Sequence, residues 1–232
     1  MKRLLYGLAI AASVFLMAAP FLHFFPSFAA IPFFAKFPST WQEMVAFVAG
    51  AWGVWLVVKE HIWNWPIGIV NSGFSAFVLF ESKLFADTGL QVIYVILGFL
   101  GWYWWLFGGE NRTNLKITMT PVWEWIACAI AGIAATAVLM PILKNLGGNA
   151  ILLDSLLTCF SLVAQYLLTK KRLENWLVWI AVDIVYVPLF ISRGLYFLAL
   201  LYFIYLLLAI SGFIAWLKTY RGLQAETPLQ PQ

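Results

Sequence analysis

Long apolar runs, each close to twenty residues and separated by short polar turns, follow one another along almost the whole chain. They cover residues 4–22, 41–58, 64–80, 88–107, 121–141, 151–169, 175–191 and 194–217. About 20 residues of α-helix cross the hydrocarbon core of a bilayer, so the pattern predicts an all-α polytopic membrane protein. The first run stands apart. Met1-Lys2-Arg3, a Leu/Ala-rich stretch and small residues at Ala18 and Ala19 read equally as a retained helix and as a signal-like segment. The Phe- and Pro-rich stretch from His23 to Pro38 is expected to lie at the membrane surface.

The other seven runs contain a repeat. A shift of 111 positions, with no gap, lays Lys59 on Lys170, Asn64 on Asn175, Trp65 on Trp176, Ile69 on Ile180 and Leu84 on Leu195. It also lays Leu90 on Leu201, Ile93 on Ile204, Tyr94 on Tyr205, Leu97 on Leu208, Gly101 on Gly212 and Trp105 on Trp216. The Asn-Trp pair, the glycines and the last tryptophan carry most of the weight, since leucine matches arise readily in apolar chains. The expected division is therefore an N-terminal segment 1–40, a first three-helix repeat 41–107, a linker helix within 108–150, a second three-helix repeat 151–218 and a tail 219–232. Three crossings invert a unit, and the single linker span restores its direction. Two parallel three-helix repeats joined by one inverting helix is an established carrier plan, with the substrate held between the repeats. A duplicated structural bundle without a pathway is the plainer alternative.

Composition narrows the class. The chain of 232 residues is 63% hydrophobic and only 10% charged, against about 25% charged in soluble domains. The net charge of +4 does not point to nucleic acid, because the basic residues sit in short loops. With the N-terminus inside, alternation leaves Lys2, Arg3, Lys59, Arg112, Lys116, Lys170, Lys171, Arg172, Lys218 and Arg221 in the cytoplasm and only Lys36, Lys83, Lys144 and Arg193 outside. Loop charge of this kind sets orientation and predicts a cytoplasmic C-terminus. Cys128 and Cys159 fall in apolar runs and are expected to be buried thiols.

Polar residues inside the spans are the candidate chemistry. Trp176, Trp179, Asp183 and Tyr186 share one helical face. A mid-span carboxylate is costly unless paired or hydrated, and no Lys or Arg lies mid-span to pair with Asp183. Asn64, Gly68, Asn71 and Ser75 form a face of the span 64–80; Gln91, Tyr94, Gly98 and Gly101 form one of the span 88–107. Asp154, Thr158, Ser161 and Gln165 make a polar stripe, with Glu43 at the position equivalent to Asp154. Glu43 and Asp154 are expected to act at helix N-termini or the interface, Gly98 and Gly101 to mark close helix packing, and Trp63, Trp65 and Trp102 to Trp105 to form the interfacial aromatic belt. Trp52 and Trp179 lie deeper. The expected substrate-binding set is Trp52, Asn71, Gln91, Tyr94, Trp179 and Asp183, with interhelical hydrogen bonding as the alternative role for Asn71 and Asp183. His23 and His61 are the only histidines. No H-E-x-x-H, G-x-S-x-G, Walker A or metal-ligand spacing occurs, so neither an enzyme nor a cofactor or metal is expected.

The runs W-N-W-P-I-G-I-V-N at 63–71, L-Q-V-I-Y-V-I-L-G-F-L-G-W-Y at 90–103 and K-K-R-L-E-N-W-L-V-W-I-A-V-D at 170–183 resemble those of the PnuC-type vitamin transporters, across about residues 41–218. The resemblance implies a seven-helix core similar in plan to the SWEET sugar carriers, a homotrimer in the bacterial inner membrane, and uptake of nicotinamide riboside by facilitated diffusion. A cytoplasmic kinase then traps the product on the way to NAD. Thiamine and riboflavin branches exist, and Asp183 stands where some relatives place Asn. The residues lean the same way. Nicotinamide riboside is an aromatic cation, which suits ring faces and a carboxylate, and its hydroxyls suit Asn71 and Gln91. A phosphorylated nucleotide needs a cation or a helix N-terminus beside it. Thiamine, also a cation, stays open, as does a SWEET-like sugar carrier, which needs no carboxylate.

Overall fold

The computed structural model describes residues 41–81, 85–145 and 151–226; the expectations for residues 1–40 lie outside them. Among the described residues the chain forms seven helices: α1 Trp41–Val58, α2 Asn64–Glu81, α3 Phe85–Phe107, α4 Val122–Asn145, α5 Ile151–Thr169, α6 Asn175–Ser192 and α7 Tyr196–Glu226. The extended structure among them is one isolated bridge between Thr118 and Arg172, so the protein is all-α as expected. Five helices, α3 to α7, are long and apolar enough to cross a membrane. Helix α1 is 18 residues long, and α2 is diluted by Asn71, Ser72, Gly73 and Ser75.

Two ends differ from the sequence reading. Helix α4 continues through Pro141 to Asn145, and α7 is 31 residues long. The tail expected over 219–232 is helical through its described part, to Glu226. Nothing from Lys218 to Glu226 except Gly222 opposes a helix, and the first proline is Pro228.

Within each half the second helix packs chiefly on the third, α2 on α3 and α6 on α7; the halves meet where α1 packs on α7 and α3 on α5, while α4 packs on α5. At one end of the bundle these seams converge on four tryptophans. Trp65 and Trp105 meet edge to face at 5.3 Å and 86°. Trp176 and Trp216 repeat the arrangement at 5.4 Å and 87°. Trp105 and Trp216 then meet each other at 6.0 Å. The Trp105 Nε1 donates to the Leu168 carbonyl at 3.1 Å and the Trp216 Nε1 to the Val57 carbonyl at 3.2 Å. Donors and acceptors alike lie 111 residues apart, so each half gives the other the same bond. Trp65 and Trp105 are thus core residues and not part of an interfacial belt; Trp63 is 48% exposed.

Small residues make this convergence possible. A Cβ at Gly101 would land in the Trp65 ring, and one at Gly212 in the Trp176 ring, so close packing rests on the missing side chains as expected. The turns that follow α1 and α5 also match. Glu60 and Lys171 both take left-handed backbone, at φ 52 and φ 50. The following amides of His61 and Arg172 reach back to Leu56 and Leu167, each at 2.9 Å, the pattern of a helix closed by a left-handed residue. Asn64 and Asn175 then donate side-chain N–H groups to the carbonyls of His61 and Arg172. Gly101→Ala and Gly212→Ala should each destabilise the protein by about 1–3 kcal/mol, the usual cost of overpacking. Thermal unfolding in detergent measures this, and an unchanged midpoint would mean the indoles yield without cost.

Candidate functional site

Above the tryptophan layer the two halves separate around a cavity of about 440 Å³. Its floor is Trp65 and Trp176, each 2% exposed. Their indole N–H groups have no acceptor among the described residues. The second half supplies one wall. Trp179, Asp183 and Tyr186 follow Trp176 up α6, on the face the spacing predicts, and Thr158, Ser161 and Gln165 line the neighbouring stretch of α5. The first half supplies the opposite wall, with Gly68, Asn71 and Ser72 from α2 and Gln91, Tyr94 and Gly98 from α3.

Five of the six side chains chosen from sequence, Asn71, Gln91, Tyr94, Trp179 and Asp183, line this cavity. Trp52 does not. Helix α1 turns Gly50, Gly53 and Val57 inward, and Trp52, two residues from Gly50, falls on the far side, stacked on Trp55 at 4.9 Å. Tyr202 and Tyr205 of α7 also line the cavity and were not chosen. Their rings lie 5.5 Å apart, and Tyr202 lies 4.7 Å from Tyr186. The signal was in the repeat: Tyr205 answers Tyr94, and Tyr202 answers Gln91.

The lining is polar but nearly uncharged. Asp183, 2% exposed, is the one ionisable acid among the described lining residues, and none of them is Lys, Arg or His. Positive charge is held at the two ends. Beneath the floor, Lys171 Nζ lies 2.9 Å from Glu60 Oε2 and 4.4 Å from the Trp105 ring centroid, so one ion pair joins the halves directly under the tryptophans. Nearby, Arg172 pairs with Glu124 of α4 at 2.6 Å, and the Glu174 carboxylate accepts from the Thr120 amide and hydroxyl at 2.9 and 2.7 Å. These contacts staple the linker to the second half. At the opposite end Arg193 Nη2 donates to both Asp154 oxygens at 3.0 Å, so Asp154 in the first turn of α5 is committed to an ion pair. The Glu43 side chain lies outside the description.

A membrane-spanning bundle whose halves part around a ring-lined, hydrogen-bonding cavity has the layout of a small-molecule carrier. Residues 40–218 match the nicotinamide mononucleotide transporter family, and the chain belongs to that family. It is 28% identical over 208 residues to the nicotinamide riboside transporter PnuC of Escherichia coli, covering 78% of this chain and 87% of that one. It is 30% identical over 193 residues to PnuC of Neisseria mucosa, with 78% and 73% covered. It is also 28% identical over 181 residues to the riboflavin/roseoflavin transporter RibM of Streptomyces davaonensis, with 76% and 84% covered. The crystal structure of the vitamin B3 transporter PnuC matches the fold with a TM-score of 0.65 at 27% identity, over 94% of this chain and 90% of that one.

The ion pair under the floor is open to a charge-swap test. Glu60→Lys sets two cations together beside a lysine whose side chain is only 9% exposed, and should lower stability by a few kcal/mol. Adding Lys171→Glu should restore most of it. A double variant no more stable than the single one, by thermal unfolding in detergent, would show that the two side chains act independently.

Proposed function

We propose that this protein carries nicotinamide riboside across the membrane by alternating access, down its gradient, to supply NAD synthesis. The observation that carries the reading is the lining of the cavity: aromatic faces, neutral hydrogen-bonding groups, one carboxylate and no basic side chain. A pyridinium ring suits the Trp179 face and the Asp183 carboxylate, and ribose hydroxyls suit Asn71 and Gln91. A phosphate entering this cavity would lose its water with no cation to replace it. The lining therefore favours the riboside over the mononucleotide for which the family is named, and the riboside is what the Escherichia coli and Neisseria mucosa relatives are named for. Similarity to the riboflavin transporter keeps a second cargo in view, but the neutral isoalloxazine ring gives Asp183 no charge to meet.

In this reading, 41–107 and 151–218 are parallel repeats, and α4 is the inverting helix between them. The contacts that recur at 111-residue spacing support it. The loop-charge asymmetry puts the tryptophan floor and its ion pair on the cytoplasmic side. Single cysteines at positions 116 and 193, probed with an impermeant thiol reagent, should label from the inside and the outside respectively; the reverse pattern would invert the scheme. The resemblance adds a homotrimer in the inner membrane, checked by the mass of the purified particle.

Proteoliposomes should take up labelled nicotinamide riboside without ATP, and equal uptake of the mononucleotide would defeat the argument from the lining. Trp179→Ala removes a ring face worth about 0.5–2 kcal/mol to a cation, a loss of roughly two- to thirtyfold in affinity. Asp183→Asn should weaken the cationic riboside and spare its reduced, neutral form. Equal loss of both would make Asp183 a hydrogen-bonding residue only. Trp52→Ala should leave affinity unchanged.

A further inference from the structure

The cavity is built on matched positions and filled unequally. Residues 111 apart line it in pairs: Trp65 with Trp176, Tyr94 with Tyr205, Gln91 with Tyr202, Val57 with Leu168 and Gly98 with Ala209. Gly50 with Ser161, Val54 with Gln165 and Ser72 with Asp183 are paired in the same way, and in these eight pairs the two members differ modestly in bulk. One further pair differs far more. Trp179, a turn above the floor on α6, answers Gly68, a turn above the floor on α2, and both line the cavity. A Cβ built on Gly68 meets no atom within 4 Å. Space that an indole occupies in one half is therefore empty in the other. The neighbouring helix repeats the contrast: a Cβ on Gly53 also meets nothing, whereas its counterpart Ala164 is fully buried. Helix α2 has other glycines, but Gly73, equally open, turns away from the cavity, on the side where Val70, Phe74 and Phe77 are exposed.

From this we infer that Gly68 is the residue that sets cargo size: the flat ring of the cargo lies on Trp179 and occupies the space over Gly68, where a matching side chain in the first half would otherwise sit. The inference rests on reading the cavity as the carrier's binding site and goes beyond it by naming the position that limits the size of the ring. A helical glycine in a transmembrane span is ordinarily a packing device, as Gly101 and Gly212 are here. Gly68 touches nothing, so its missing side chain serves the open volume and not a helix contact. It shares the cavity with the Trp179 ring and the Asp183 carboxylate, a pairing that gives an aromatic cation a stacked face and a charged edge.

The test is a size series, Gly68→Ala, Gly68→Leu and Gly68→Trp, beside Gly73→Trp on the lipid-facing side of the same helix. Thermal unfolding should show all four folded, since neither site has an atom in the way. Uptake of nicotinamide riboside by proteoliposomes should fall with each increase in size at position 68 and be lost in Gly68→Trp, while Gly73→Trp transports as the parent does. A flat series at position 68, with a parent that transports the riboside, overturns the assignment and leaves the carrier reading standing. If a larger side chain fails to fold, Gly68→Cys decides: a water-soluble, ring-bearing maleimide should modify it, and excess riboside should protect it. Failure to label means the space is not open and also overturns the assignment. Labelling without protection, in a parent that transports the riboside, puts the ring elsewhere and does the same. A parent that takes up neither riboside nor riboflavin refutes the carrier reading instead, and labelling at position 68 still reports whether the space exists.

Discussion

The rest of the molecule depends on a reciprocal exchange of two hydrogen bonds. Trp105 of the first half donates to a carbonyl at the end of α5, and Trp216 of the second half donates to the equivalent carbonyl at the end of α1. Both carbonyls lie in the last turns of their helices and already accept the turn amides of Glu60 and Lys171, each at 2.9 Å, so the indole takes the second lone pair. A buried indole N–H left alone costs about 1–3 kcal/mol. Each bond therefore satisfies a buried donor across the seam between halves. In a bilayer, apolar side chains gain little by leaving lipid for one another, so helix association relies on close packing and interhelical hydrogen bonds. The tryptophan layer supplies both, and it joins the four seam helices at one level. Above it the walls are free to diverge, and the cavity is the result.

The division of labour between the halves follows from the same geometry. Identical positions at the floor are held by identical residues because each must complete the other's contact. Positions higher up face the cavity, where no such reciprocity operates, and there the halves have taken different roles: rings and a carboxylate on α6, small and amide side chains on α2. The linker donates its Leu115 amide to the Trp105 carbonyl of the first half, but its side-chain hydrogen bonds and ion pair run to the second. Glu174 and Arg172 fasten Thr118, Thr120 and Glu124 to the second half, so α4 belongs mechanically with α5 to α7.

Much of this was legible in the chain. Span-length apolar runs placed the helices, the 111-residue shift paired the floor residues before any coordinates, and helical spacing put Trp176, Trp179, Asp183 and Tyr186 on the face they share. What failed has one physical cause. In a membrane protein the outside is as apolar as the core, so hydrophobicity does not say which way a tryptophan points. Trp52 and Trp65 lie in comparably apolar surroundings, yet one stacks on the outer side of α1 and the other makes the floor. Polar residues escape the ambiguity, since lipid rejects them, and the polar choices all reached the cavity. Tyrosine falls between, apolar in body and polar at the tip, and Tyr202 and Tyr205 were passed over for that reason although the repeat had already aligned them with Gln91 and Tyr94. Helix ends beyond the apolar run, as in α7, depend on local propensity and leave no hydrophobic trace.

The pairing of Glu60 with Lys171 has a consequence for how such a chain can have come about. The two residues are counterparts, one from each half, and they touch. Wherever a duplicated unit meets its own copy at the same position, an ionisable residue meets its own charge. Two identical halves would set glutamate against glutamate, or lysine against lysine, beneath a buried indole, and like charges at that distance repel. The present contact exists because the two matched positions hold residues of opposite charge. Unlike residues there make a surface that accepts its complement and rejects another copy of itself, and so tie each half to its partner on the same chain.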